Sequence, residues 1–136
     1  MKKYKLVTQD MKTRKGERNE FTWVIGEWSP ETDGEGDLCS PSFYHYYHDP
    51  LLAVFMNPAH ADIDNPRLFE VDAQGKHKDD NGTKGGCTKI KLVKELTLPS
   101  VTREQRVAFA ILCAKEVCKD KEWNKWADNW LNSSSQ

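Results

Sequence analysis

A chain of 136 residues with 38% hydrophobic and 30% charged side chains has the composition of one soluble domain, large enough to bury a core without disulfides or metals. Its net charge of −1 excludes a global electrostatic pull toward nucleic acid or anionic membrane, leaving only local patches among its 20 Lys and Arg. No run nears the ~20 apolar residues of a membrane span, and no signal-peptide h-region follows the first lysines. The cytosol is therefore the expected compartment, with Cys39, Cys87, Cys113 and Cys118 as reduced thiols.

Tyr4 to Val7 alternates briefly and predicts a first strand, followed by the charged turn "QDMKTRKGERNE". "FTWVIGEW" predicts a second strand, with Phe21, Trp23 and Ile25 opposed to Thr22 and Val24. "SPETDGEGD" is a loop, rich in Gly, Pro and acids. Leu38 to Tyr47 suits an aromatic strand interrupted by Pro41. At Asp49-Pro50 the carboxylate caps while Pro fills the first helical position, so a short helix is expected over "LLAVFM", ending at Asn57-Pro58. "RLFEVDA" predicts a half-buried strand, "KDDNGTKGG" a turn, and "CTKIKLVKELTL" a strand with Ile90, Leu92 and Leu96 on one face and Lys89, Lys91 and Val93 on the other, with a register slip near Glu95.

The last third reads as two helices. Thr102-x-x-Gln105 has the form of a capping box, and Val107, Ala110, Ile111, Ala114 and Cys118 make a stripe widened by Phe109, Leu112 and Val117. Asp120 caps a final helix whose apolar residues Trp123, Trp126, Ala127, Trp130 and Leu131 recur at helical spacing. Strands first and helices last argue for α+β: a small, mostly antiparallel sheet with a short central helix and two C-terminal helices packed on it. The expected organisation is a single domain over 1–136, strand-rich over 1–98, helical over 101–131 and frayed over 132–136.

Chemistry concentrates between Ser40 and Val71, which holds His45, His48 and His60 with Tyr44, Tyr46 and Tyr47. Three imidazoles suffice in number for zinc, but on a strand His45 and His48 face opposite sides, and no Cys-x-x-Cys pair exists; no metal is expected. The six residues are instead candidates for a ligand pocket with aromatic stacking. The thiols read as small hydrophobes on the helix at Cys113 and Cys118, and as more exposed at Cys39 and Cys87. Asp33, Glu35 and Asp37 read as a solvated acidic loop rather than a calcium site. Lys84, Lys89, Lys91 and Lys94 read equally as lysines guarding a sheet edge or, with Tyr44, Tyr46 and Tyr47, as a surface for stacking single-stranded nucleic acid. Trp123, Trp126 and Trp130 are the candidates for a protein interface, with burial in a core as the competing reading.

Three segments resemble an uncharacterised group of small phage and bacterial proteins, a domain of unknown function. They are "LCSPSFYHYYHDPLLAV", similar to a Cys-x-x-Gly-Phe-His-x-x-x-x-Pro-Leu pattern but with Ser42 for Gly; "RLFEVDAQG" with "CTKIKLVKEL"; and "EQRVAFAILCAKEV" with "WADNWL". The resemblance spans roughly Leu38 to Leu131 and implies a shared fold and a phage or bacterial origin, without an activity. "FYHYYHDPLLAVFM" and "RLFEV" also resemble a segment of ADP-ribosyltransferase-like folds. That likeness implies NAD as cofactor, stacking by Tyr44, Tyr46 or Tyr47, and Glu95 as positional candidate for the glutamate; "YKLVTQD" lacks the His-Gly-Thr or Arg that holds NAD in such folds.

Lacking a complete catalytic set, the sequence points first to a non-enzymatic, phage-type accessory protein that binds a host protein or a small ligand, with no cofactor. Membrane and nucleic-acid partners are not expected. A divergent NAD-using transferase is the alternative.

Overall fold

A computed structural model of the chain describes residues 2–134, with the side chain of residue 134 left aside. It divides into two compact units, Met1–Pro99 and Ser100–Gln136. Among the described residues the order is β1 (Lys2–Val7), β2 (Lys12–Thr13), β3 (Phe21–Thr22), β4 (Tyr44–Tyr46), α1 (Pro50–Met56), β5 (Arg67–Asp80), β6 (Lys84–Leu96), α2 (Arg103–Lys115) and α3 (Lys121–Ser134). The class is α+β, as the order of patterns predicts. The frayed tail expected from residue 132 is helical as far as Ser134; Ser135 and Gln136 lie outside the described residues.

The first unit is a curled antiparallel sheet in the order β1-β5-β6-β4. Its scaffold is the long β5–β6 hairpin, turned by Asn81 and Gly82 at φ 48° and 81°, with Thr83 N–H donating to Asp80 O at 2.9 Å. Both central residues at positive φ make the primed turn whose twist matches the flanking strands, so the strands run up to the turn. Two register shifts bend the hairpin, one opposite Val93 and one at Gly75–Lys76. The first is the slip expected near Glu95. At the second, Gly75 sits at φ +87°, and the buried Thr88 Oγ1 accepts from Lys76 N–H at 3.0 Å. Bulges of this kind increase local twist. Here they let the hairpin pair β1 at one end and β4 at the other. The curl closes where Tyr4 and Tyr47 exchange N–H···O bonds of 2.9 and 2.7 Å.

Val7, Trp23, Tyr46, Phe69, Val71, Ala73, Cys87, Ile90 and Leu92 fill the curl. Leu6 and its partner Leu68 are buried on the opposite face of β1 and β5, and α1 packs beside β1. Helix α1 begins as its signal predicts: Asp49 Oδ1 accepts from Leu51 N–H at 2.8 Å, with Pro50 in the first turn.

Two expected strands shrink. "FTWVIGEW" is strand only at Phe21–Thr22, and Val24 and Ile25 are exposed, against their predicted alternation. Beyond Trp23 the chain crosses β6 irregularly, with Gly26 and Ser29 N–H donating to Leu92 and Ile90 O, so tertiary pairing sets which side chains point inward. Leu38–Tyr47 is strand only at Tyr44–Tyr46, because the Ser-Pro-Ser turn before it takes Ser hydroxyls as hydrogen-bond partners.

In the second unit, α2 and α3 pack on each other, and Lys115 pairs with Asp128. Thr102 and Gln105 complete the capping box with bonds of 3.1 and 2.9 Å, and Asp120 accepts from Trp123 N–H at 2.9 Å. Ile111 and Ala127 are buried, whereas Phe109, Leu112 and Val117, predicted to widen the stripe, are exposed.

Candidate functional site

The first unit carries a cleft of about 800 Å³, bounded by β1, the β2–β3 segment, β4, and the loop after α1. Tyr44, His45, Tyr47 and His60 line it. Tyr46 and His48, the other two ligand candidates, do not: Tyr46 is buried in the core cluster against Gly85, and His48 packs edge-on against it outside the cleft. There His48 Nδ1 lies 2.7 Å from Lys3 Nζ and Nε2 2.6 Å from Asp79, while Tyr46 Oη lies 3.1 Å from His77 Nδ1. The three histidines therefore do not converge. Among the described residues no group of three His, Cys, Asp or Glu is gathered for a metal.

The residue at the heart of the cleft is Lys5. It pairs with Phe69 across the β1–β5 ladder, and Lys3 pairs with Val71, so Lys3, Lys5 and Val7 share the face that looks into the curl. Lys5 is only 8% exposed. Its ammonium donates to His45 O at 2.7 Å and stands 5.6 Å from the Trp23 ring centroid. Among the described residues it has no carboxylate partner. Burial, with Arg14 and Lys84 nearby, pulls the Lys5 amine down to about 8. Arg14 Nη2 donates to Ser40 O at 3.3 Å and Lys84 Nζ to Cys39 Sγ at 3.3 Å, so neither cation is spent on a carboxylate.

His45 and its neighbours complete the walls. The His45 Nε2–H donates to Leu38 O, which leaves Nδ1 as the unprotonated nitrogen. Burial, reinforced by Lys5, Lys84 and Arg14, pushes that ring down to about 4, so it is neutral at physiological pH. Phe21, Trp23 and Tyr44 form an edge-to-face cluster with centroids 4.6 to 6.0 Å apart, fixed by Tyr44 O–H donating to Pro30 O at 2.8 Å. Tyr47, its phenol pushed up to about 12 by burial, donates to His60 Nδ1 at 2.6 Å and stacks on that ring. The acids are at the rim: Asp10 is held by Lys15, and Glu17, Asp62 and Asp64 are exposed.

The cleft thus has a cationic floor, aromatic walls and an acidic lip. A buried cation such as Lys5, without a counter-ion, is expensive unless an anion meets it. A small anionic ligand with a planar body fits this chemistry, whereas the acidic lip repels a long polyanion.

Other sequence candidates lie elsewhere. Cys87 is buried, correcting its expected exposure, and its thiol is pushed up to about 11. Cys113 is exposed rather than a buried helical hydrophobe. Glu95 is clamped by Arg67 through two bonds of 2.8 Å, and does not line the cleft. Lys89 and Lys91 sit over the Trp28 ring at 5.2 and 4.7 Å. Trp126 is 51% exposed, while Trp123 and Trp130 are half-buried. Sequence reasoning passed over Lys5 and Arg14. A lysine in an alternating strand reads as solvent-facing, and only the pairing with Phe69 shows that it points inward.

No helix among the described residues is long and apolar enough to cross a membrane. Comparison with curated proteins and with solved structures gives no match. A family model does match, from residue 1 to residue 104. The match takes in the whole sheet and stops inside α2, beginning earlier and ending sooner than the resemblance over Leu38 to Leu131 implied. The chain belongs to the family described as a domain of unknown function (DUF7666).

Proposed function

We propose that this is a non-enzymatic binding protein whose cleft holds a small anionic ligand with a planar ring, such as a nucleotide. One observation supports the reading above the others: Lys5 is buried at the cleft floor with no carboxylate partner among the described residues, flanked by Arg14 and Lys84. A charge kept in that state awaits an anion. The ligand's anionic group meets Lys5 and Arg14, and its ring lies against Tyr44 and Tyr47. This favours the small-ligand half of the expected phage-type accessory role over capture of a host protein.

Titration calorimetry with adenosine diphosphate, NAD, adenosine and a single-stranded oligonucleotide tests the proposal. The diphosphate should bind at least ten-fold more tightly than adenosine, and Lys5→Met should remove most of that difference, since a charge-assisted hydrogen bond is worth roughly 1.5–3 kcal/mol. Equal binding of adenosine and its diphosphate, or no binding of either, contradicts it. A preference for NAD with release of nicotinamide would instead support the transferase reading.

A further inference from the structure

Lys5 has a second property beyond its charge. Most lysines reach solvent with a fully protonated head, a poor nucleophile. Among the described residues Lys5 is held in the cleft, over the Trp23 ring, by one acceptor, the His45 carbonyl, and Arg14 and Lys84 line the same cleft. Desolvation and neighbouring positive charge are the two devices that make a lysine amine reactive toward carbonyl carbon. The acceptor fixes the nitrogen without neutralising it, and Arg14 and Lys84 stand where an anionic group on the incoming molecule would dock. Both requirements of covalent capture, an available amine and an anchor for the rest of the ligand, therefore meet in one cleft.

We infer that Lys5 forms a reversible imine with anionic aromatic aldehydes that enter the cleft. In this step the unprotonated amine attacks the carbonyl carbon, and the C=O π electrons move to oxygen. The carbinolamine then expels that oxygen as water together with the two amine hydrogens, and a C=N bond joins ligand to Lys5. No oxidant or reductant takes part, and hydrolysis reverses the step. With the Lys5 amine pulled down to about 8, about a tenth is unprotonated at pH 7, where an ordinary lysine at 10.5 is almost wholly charged. The inference rests on the proposed anion-binding role of the same cleft and narrows its ligand class to carbonyl compounds.

Pyridoxal 5′-phosphate serves as the probe because it joins an aldehyde, an aromatic ring and a phosphate. The full-length protein is incubated with it at sub-saturating concentration, reduced with borohydride, and mapped by peptide mass spectrometry. One adduct per chain is expected, with labelling of Lys5 at least ten-fold above any other lysine. Inorganic pyrophosphate should suppress it, and benzaldehyde, which lacks the anion, should label Lys5 far less. Lys5→Arg keeps the charge and removes the nucleophile. It should lose the adduct while keeping the wild-type circular dichroism spectrum. Labelling spread evenly over surface lysines, or unchanged in Lys5→Arg, overturns the inference. If diphosphate binding persists while Lys5 stays unlabelled, imine formation alone fails; if both are lost in the wild-type protein, the anion-binding reading falls with it.

Discussion

Lys5 links the stability of the protein to its proposed role. On folding, its amine moves from 10.5 to about 8, which corresponds to about 3 kcal/mol of unfavourable burial at neutral pH. The sign follows from proton counting. Between about pH 8 and 10.5 the unfolded chain still holds the proton that the folded chain has released, so stability from this group rises with pH across that window. Below pH 8 the proton is bound in both states and the penalty is constant. Lys5→Met should therefore be more stable than wild type at pH 7, by up to about 3 kcal/mol, with the gap closing as pH nears 10.5. Urea unfolding at several pH values reads this directly, and parallel curves for the two proteins would show that the ammonium is not desolvated. Residues of this kind are the hardest to find in a sequence. "YKLV" alternates just as a half-exposed strand does, and Lys5 faces inward only because its partner is Phe69, more than sixty positions away.

At the level of elements, local signals translated well and long-range ones did not. Asp49-Pro50, Thr102-x-x-Gln105 and Asp120 each act within three or four residues, and each cap forms as its sequence predicts. The Asn81-Gly82 turn is legible for the same reason: its conformation is set by two adjacent residues. The lengths of the β2–β3 and β4 segments were not legible, because their partners are distant and the intervening loops supply hydrogen bonds in place of a ladder. The sheet's curl depends on the bulge at Gly75, where an added Cβ would overlap Thr88 Oγ1 at a φ of +87°. Gly75→Ala should thus cost roughly 2 kcal/mol or more, from backbone strain together with the clash. A fall in the denaturant midpoint measures it. An unchanged midpoint would mean that the bulge relaxes freely and does not set the curl.

Considered whole, the chain separates a sheet unit that holds the cleft from a unit of two helices, and the family match ends close to that division. The α+β class was readable from the order of patterns, but the cleft was not. It assembles from five places in the sequence, and of its lining only Tyr44, His45, Tyr47 and His60 read there as a ligand site. Since the core cluster lies entirely within Met1–Pro99, a fragment of residues 1–99 should unfold cooperatively by itself. Calorimetric and van't Hoff enthalpies should then agree, and a broad, non-cooperative melt of the fragment would contradict that expectation.

The proposed role of the cleft around Lys5 is to bind a small anionic ligand. Amide chemical-shift mapping of the labelled full-length protein during titration with adenosine diphosphate tests it most directly. Saturable shifts should concentrate at Lys5, Arg14, Tyr44, His45, Tyr47 and Lys84, all of which line the cleft, and should be lost in Lys5→Met. Shifts scattered over the surface lysines, or none at these six residues at saturating ligand, would contradict it.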